Sequence, residues 1–149
     1  MGAFSLKSVL LARHAQHVVL IHFPIALFLM GVAFDCAARW TKREAFATVA
    51  FYNLMMAAVF VLPVLVTGLL AWQWQLEAQR LHGVLLLHLT MGCISGALIL
   101  GTAWIHLRGR RKQSNRGGYY LLAFEVVAAL VIAATAHLGG ILSGVNGPA

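Results

Sequence analysis

Four long apolar runs, at about 18–38, 46–72, 82–107 and 119–142, decide what this chain can become. Each supplies the roughly 20 mostly apolar residues needed to cross a hydrocarbon layer about 30 Å thick. Within lipid the backbone must satisfy its own hydrogen bonds, so the runs are expected to be helices. Composition agrees. Hydrophobic residues make up 61% of the chain and charged residues 10%, against roughly 25% charged in soluble domains. So little charge cannot clothe a water-facing surface. The expected fold is all-α: an integral membrane four-helix bundle, one domain over residues 1–149. Pro24 falls near the start of the first run, and Pro63 lies mid-run in the second, where a kink is expected.

The basic residues orient the bundle. Arg39, Lys42 and Arg43 follow the first run; Arg108, Arg110, Arg111, Lys112 and Arg116 follow the third. Together they are eight of the eleven Lys and Arg residues, leaving Lys7, Arg13 and Arg80 for the other side. The positive-inside rule then puts both basic loops in the cytoplasm of a bacterial inner membrane and both termini in the periplasm. Trp40, Trp72, Trp74, Trp104, Tyr119 and Tyr120 flank the runs, where amphipathic rings favour the headgroup layer. The formal charge of +7 is thus read as an orientation signal and a lipid contact. The loops are short and lack aromatic reading surfaces, so no nucleic-acid partner is expected. The first 17 residues lack the long apolar core of a signal peptide, and 6–16 is expected to lie as a short helix on the membrane surface.

Seven histidines, His14, His17, His22, His82, His88, His106 and His137, are the informative feature of so apolar a chain. Ionisable groups inside membrane spans are costly and are functional candidates. Counting about 1.5 Å per residue from the outer end of each run puts His22, His88 and His137 roughly 6–9 Å deep on three different helices. His14, His17 and His82 fall just above them, and His106 falls at the cytoplasmic end, where an interfacial place beside Arg108 is expected.

Such a layer suits a b-type haem, whose iron takes one or two axial imidazoles projecting inward from facing helices. The absence of Cys-x-x-Cys-His excludes covalent c-type attachment. Gly92 and Gly96, below His88, and Gly139 and Gly140, beside His137, would leave room between helices, though small residues also serve plain packing. At about 100° per residue, His82 and His88 point roughly 120° apart, and His17 and His22 roughly 140° apart. Neither pair would share one iron. The favoured site is therefore a deep haem ligated by His22 and His88, with His137 as alternative ligand or hydrogen-bond donor. A second, shallower haem would use His17 and His82. The bland reading for any single intramembrane histidine is a hydrogen-bonded link between helices.

The other polar and sulfur groups read more simply. Asp35 is expected to pair with Arg39 at i, i+4, and Glu125 to pair near the basic loop rather than to handle protons. Cys36 and Cys93 look like small buried hydrophobes. Met30, Met55, Met56 and Met91 look like packing, with an axial thioether as the alternative.

The segment from His14 through His17 and His22-Phe23-Pro24 to Leu27, followed by Asp35, resembles an uncharacterised bacterial four-helix membrane family, a domain of unknown function. The first helix of that family reads HPxHPxxxHFPIAL and then D. The histidine spacing is the same, but Ala15 and Val18 stand where the family has prolines. Thr67-Gly68 and His88-xxx-Gly92 are also similar. Ala136-His137-Leu138-Gly139-Gly140 through Ser143-Gly144 resembles a branch ending in GHxGGxLTHG, with one histidine fewer here. Members occur beside cytochrome and iron–sulfur domains, so the resemblance implies an electron-transfer module.

The expected function is a b-type haem electron-transfer subunit. It would pass electrons between the quinone pool, or a periplasmic redox partner such as a cytochrome, and a larger respiratory or photosynthetic complex. One alternative is a cofactor-free accessory subunit of such a complex. A second is an outer-face copper or zinc site built from His14, His17 and His82, since imidazole suits both metals. No nucleophile motif or phosphate-binding glycine loop points to an enzyme.

Overall fold

The computed structural model describes residues 13–75, 81–111 and 118–144. They form four helices: α1 (Arg13–Thr41), α2 (Glu44–Gln75), α3 (Gly83–Arg111) and α4 (Tyr119–Leu142). All four are long and apolar enough to cross a membrane. Apart from α4, each overshoots its apolar run by several residues. Residues 6–12 of the expected surface helix, the His14 and Trp74 side chains, Arg80, Lys112 and Arg116 lie outside what is described.

The helices pack in a ring, α1 on α2, α2 on α3, α3 on α4 and α4 on α1, so α1 and α3 lie diagonally opposite. The α1–α2 contact is by far the most extensive, and it follows from a two-residue connection. Lys42 takes a positive φ of 58° there, ending α1 and reversing the chain. Phe28 and Leu54 are fully buried between α1 and α2 with Val32, Ala57 and Val61; Ile99 of α3 and Ala128 and Ile132 of α4 complete the core. Lipid tails are as apolar as these side chains, so what holds the helices is close packing over small residues. At Gly31 a Cβ would stand 2.7 Å from Leu54 Cδ2, so the absence of a side chain sets how closely α1 and α2 approach.

α2 runs unbroken through Pro63. The Thr67 hydroxyl donates to the Pro63 carbonyl at 2.8 Å, spending its proton on the backbone of its own helix. Trp40, Trp104, Tyr119 and Tyr120 are exposed near helix ends, and the Arg108 guanidinium covers the Trp104 ring at 4.6 Å. Cys36 and Cys93, expected to be buried, are exposed on the lipid side. An apolar run surrounded by lipid carries no inside-out pattern, so its sequence does not say which face is covered.

Candidate functional site

Two polar layers sit at opposite ends of the bundle. At the end where α1 begins and α4 finishes, His17 and His88 occupy equivalent places on diagonal helices. His17 leans from α1 onto α2, its Cε1 2.9 Å from where a Cβ on Gly68 would be. Its Nδ1 is 3.2 Å from Thr67 Oγ1. The threonine proton already goes to Pro63, so the imidazole Nδ1–H is the donor. His88 leans from α3 onto α4, its Cε1 3.0 Å from a Cβ position on Gly139. Its Nδ1 donates to the Thr135 carbonyl at 3.1 Å. The Thr135 hydroxyl meets Ser95 at 2.9 Å, a second α3–α4 link. One turn below His88, Gly92 has nothing within 4 Å of its Cβ position, leaving space beside it.

His22 behaves differently. Its Nδ1 donates at 2.7 Å to Val18 of its own helix, and the side chain is exposed on the bundle's outer face. With Phe23, Ala26, Leu27, Met56 and Phe60 it lines an open apolar groove of 460 Å³ between α1 and α2. Phe23 and Phe60 stack in its wall with ring centroids 5.1 Å apart. In both His22 and His88 the bond to a carbonyl puts the proton on Nδ1 and the lone pair on Nε2. Metal-ligating histidines share this arrangement, the second nitrogen held by an outer partner.

The structure does not bring His22 and His88 to one space. His22 faces the lipid-side groove, while His88 faces α4 from the diagonal helix. His137 is exposed on α4, and His82 is exposed just before α3 begins. Among the described residues, no group of three His, Cys, Asp or Glu side chains is placed to hold a metal ion.

The opposite end carries the basic residues and a buried cluster. Asp35 accepts from Arg39 Nε at 2.6 Å, with side chains only 3% and 13% exposed. This is the expected i, i+4 pair. Arg39 Nη1 also reaches the Gly118 carbonyl ahead of α4 at 3.4 Å. His106, expected at the interface beside Arg108, instead turns inward. Its Nε2 meets Glu125 Oε1 at 2.5 Å; Glu125 is wholly buried and the His106 side chain is 14% exposed. Arg108 is occupied by Trp104, so it is not the partner. Counted from the helix ends at Thr41, Arg111 and Tyr119 at about 1.5 Å per residue, His106, Glu125 and Asp35 all lie roughly 8–9 Å deep; the apolar runs end earlier, at 38 and 107, and so hid this common level.

No curated protein and no solved structure matches the chain. A family model does match, over residues 13–147, which takes in all four helices. The matched stretch holds all four spans, and the chain belongs to the family described as Predicted membrane protein (DUF2231).

Proposed function

We propose that this multi-pass membrane protein is a b-type haem electron-transfer subunit, with His22 and His88 as the iron ligands. The observation that carries the reading is His22. It links no helices: its Nδ1 is satisfied within α1, and the ring is turned to an apolar groove. An imidazole placed in a membrane span without bridging anything calls for a partner from outside the chain. Imidazole and thioether are donor types that haem iron takes as axial ligands. The groove falls within the size range of cofactor sites, about 300–1,000 Å³. It offers an apolar lining made by the edge of the His22 ring, stacked phenyl walls and the Met56 side chain. His88 offers a second imidazole whose tautomer is fixed by Thr135, and Gly92, one turn below it, leaves open space. Because the two rings face different spaces, His22 and His88 would hold separate haems; one shared haem would require the helices to rearrange. His137, His17 and His82 are the remaining ligand candidates.

When bound, haem supplies a one-electron couple; the chain supplies ligation, orientation and an apolar surround that tunes potential. Val18 and Thr135 hold the ligand tautomers. The basic loops belong on the cytoplasmic side of a bacterial inner membrane, which puts the histidine layer on the periplasmic side. Electrons then pass between quinol, or a periplasmic cytochrome, and a larger complex.

A second reading is favoured by His17 and His88, each of which links two helices. In that reading the protein is a cofactor-free accessory subunit. The deciding experiment is a reduced-minus-oxidised spectrum with a pyridine-haemochrome assay on purified protein, beside His22→Ala and His88→Ala. A b-type band lost in either variant alone identifies one shared haem; a band halved by each identifies two. A flat wild-type spectrum, with haem supplied during expression, overturns the haem reading in favour of the accessory subunit.

A further inference from the structure

The cluster at the basic-loop end is unused by an electron-transfer role, and its geometry asks for a ligand. Glu125 is the most deeply placed acidic group described, 0% exposed in α4. His106 occupies its Oε1. Its Oε2 is buried and has no hydrogen-bond partner among the described residues. An oxygen left in that state in an apolar interior is expensive while the carboxyl is ionised; a proton on the group, which makes Oε2 an uncharged carbonyl oxygen, or a water at Oε2 lowers that cost.

Charge balance says which. α4 packs against α1 and α3. The charged groups they bring to Glu125 are Asp35 and Arg39 from α1 and His106 from α3. Asp35 and Arg39 are already paired with one another and sum to zero. A deprotonated Glu125 beside a neutral imidazole would then leave one uncompensated negative charge inside the bundle. One added proton, on either partner, removes it. The two partners also differ in access, His106 being partly exposed and Glu125 closed off, so a proton from solvent meets the imidazole first.

We propose that His106 and Glu125 form a proton-binding site that exchanges one proton with the basic-loop face through the imidazole. Uptake makes an N–H bond at His106 Nδ1. The Nε2–H bond then breaks as its proton passes to Glu125 Oε1, leaving a neutral imidazole and a carboxylic acid. No electrons are transferred, and the cluster goes from one net negative charge to none. Release is the reverse. The site rests on no bound cofactor and stands or falls separately from the haem reading.

The test is pH-difference infrared spectroscopy on the full chain in lipid vesicles, with glutamate side chains carrying carbon-13. The chain has three glutamates, Glu44, Glu77 and Glu125; Glu44 is exposed at the start of α2 and Glu77 falls in the α2–α3 connection. The expected result is a pH-dependent carbonyl band of a protonated carboxyl in an apolar setting. It shifts with the label and with deuterium oxide, is absent in Glu125→Gln, and is displaced in His106→Gln. In His106→Gln its hydrogen–deuterium exchange slows by roughly 100-fold, the low end of what a positioned proton-transfer group contributes. No label-sensitive band over the pH range in which the protein stays folded overturns the proposal, as does a band that survives in folded Glu125→Gln. A band indifferent to His106→Gln overturns the exchange route. Should Glu125→Gln fail to fold, labelled wild type and His106→Gln decide without it.

Discussion

His88 points the Cε1 corner of its ring at Gly139, 3.0 Å from the point where a side chain would begin. The same ring donates to Thr135, one turn earlier on α4. Thus α4 reads the imidazole twice, by a carbonyl and by a missing Cβ. Gly139→Ala is expected to push His88 off α4 and lengthen that bond. Thermal unfolding in detergent should show a loss of about 1–3 kcal/mol, the usual result of overpacking. Haem content should fall with it.

Gly92→Ala separates packing from cofactor space. Nothing stands within 4 Å of its Cβ position, so the cofactor-free protein should keep its stability or gain up to about 1 kcal/mol of helix propensity. Pyridine-haemochrome assay of the same variant should show reduced haem if a macrocycle uses the space beside His88. Unchanged haem content would place the cofactor elsewhere.

Gly31→Ala tests what holds α1 to α2. The new methyl group would meet Leu54 at 2.7 Å, and Leu54 is fully buried. A loss of about 1–3 kcal/mol is expected, and a smaller loss where Leu54→Ala, itself costly at a core position, has already removed the clashing side chain. A double-mutant cycle in a detergent unfolding assay would show coupling between the two positions. Additivity would mean that the helices do not approach as closely as described.

Asp35→Asn leaves the Arg39 guanidinium largely enclosed without its carboxylate. Breaking one side of a buried pair typically costs about 3–5 kcal/mol, whereas removing both charges costs less. Asp35→Asn should therefore unfold more readily than Asp35→Asn with Arg39→Gln. Equal stability of the two variants would assign the pair no structural weight.

Sidedness is open to direct labelling. Lys42 and Ser143 are exposed at opposite ends. In a background with Cys36→Ala and Cys93→Ala, Ser143→Cys should react with an impermeant maleimide in intact cells. Lys42→Cys should react only after permeabilisation. The reverse pattern would invert the orientation drawn from the basic loops.

The sequence by itself determined four spans, their approximate ends and the Asp35–Arg39 pair. Run length against membrane thickness, and i, i+4 geometry, are local rules that need no tertiary information. Rise per residue is fixed, but the helix ends from which depth is counted are not: α1 begins at Arg13, so His17 rather than His22 sits level with His88. What only the tertiary structure decided was the direction each group faces. His22 turned to a lipid-side groove, His88 to α4, His106 inward to Glu125, and Cys36 and Cys93 outward to lipid. In water, a polar stripe would have revealed those faces. In a chain that is apolar all round, the covered face is chosen by close approach at positions such as Gly31, Gly68 and Gly139, which involves residues distant in sequence and registers only when the helices are packed.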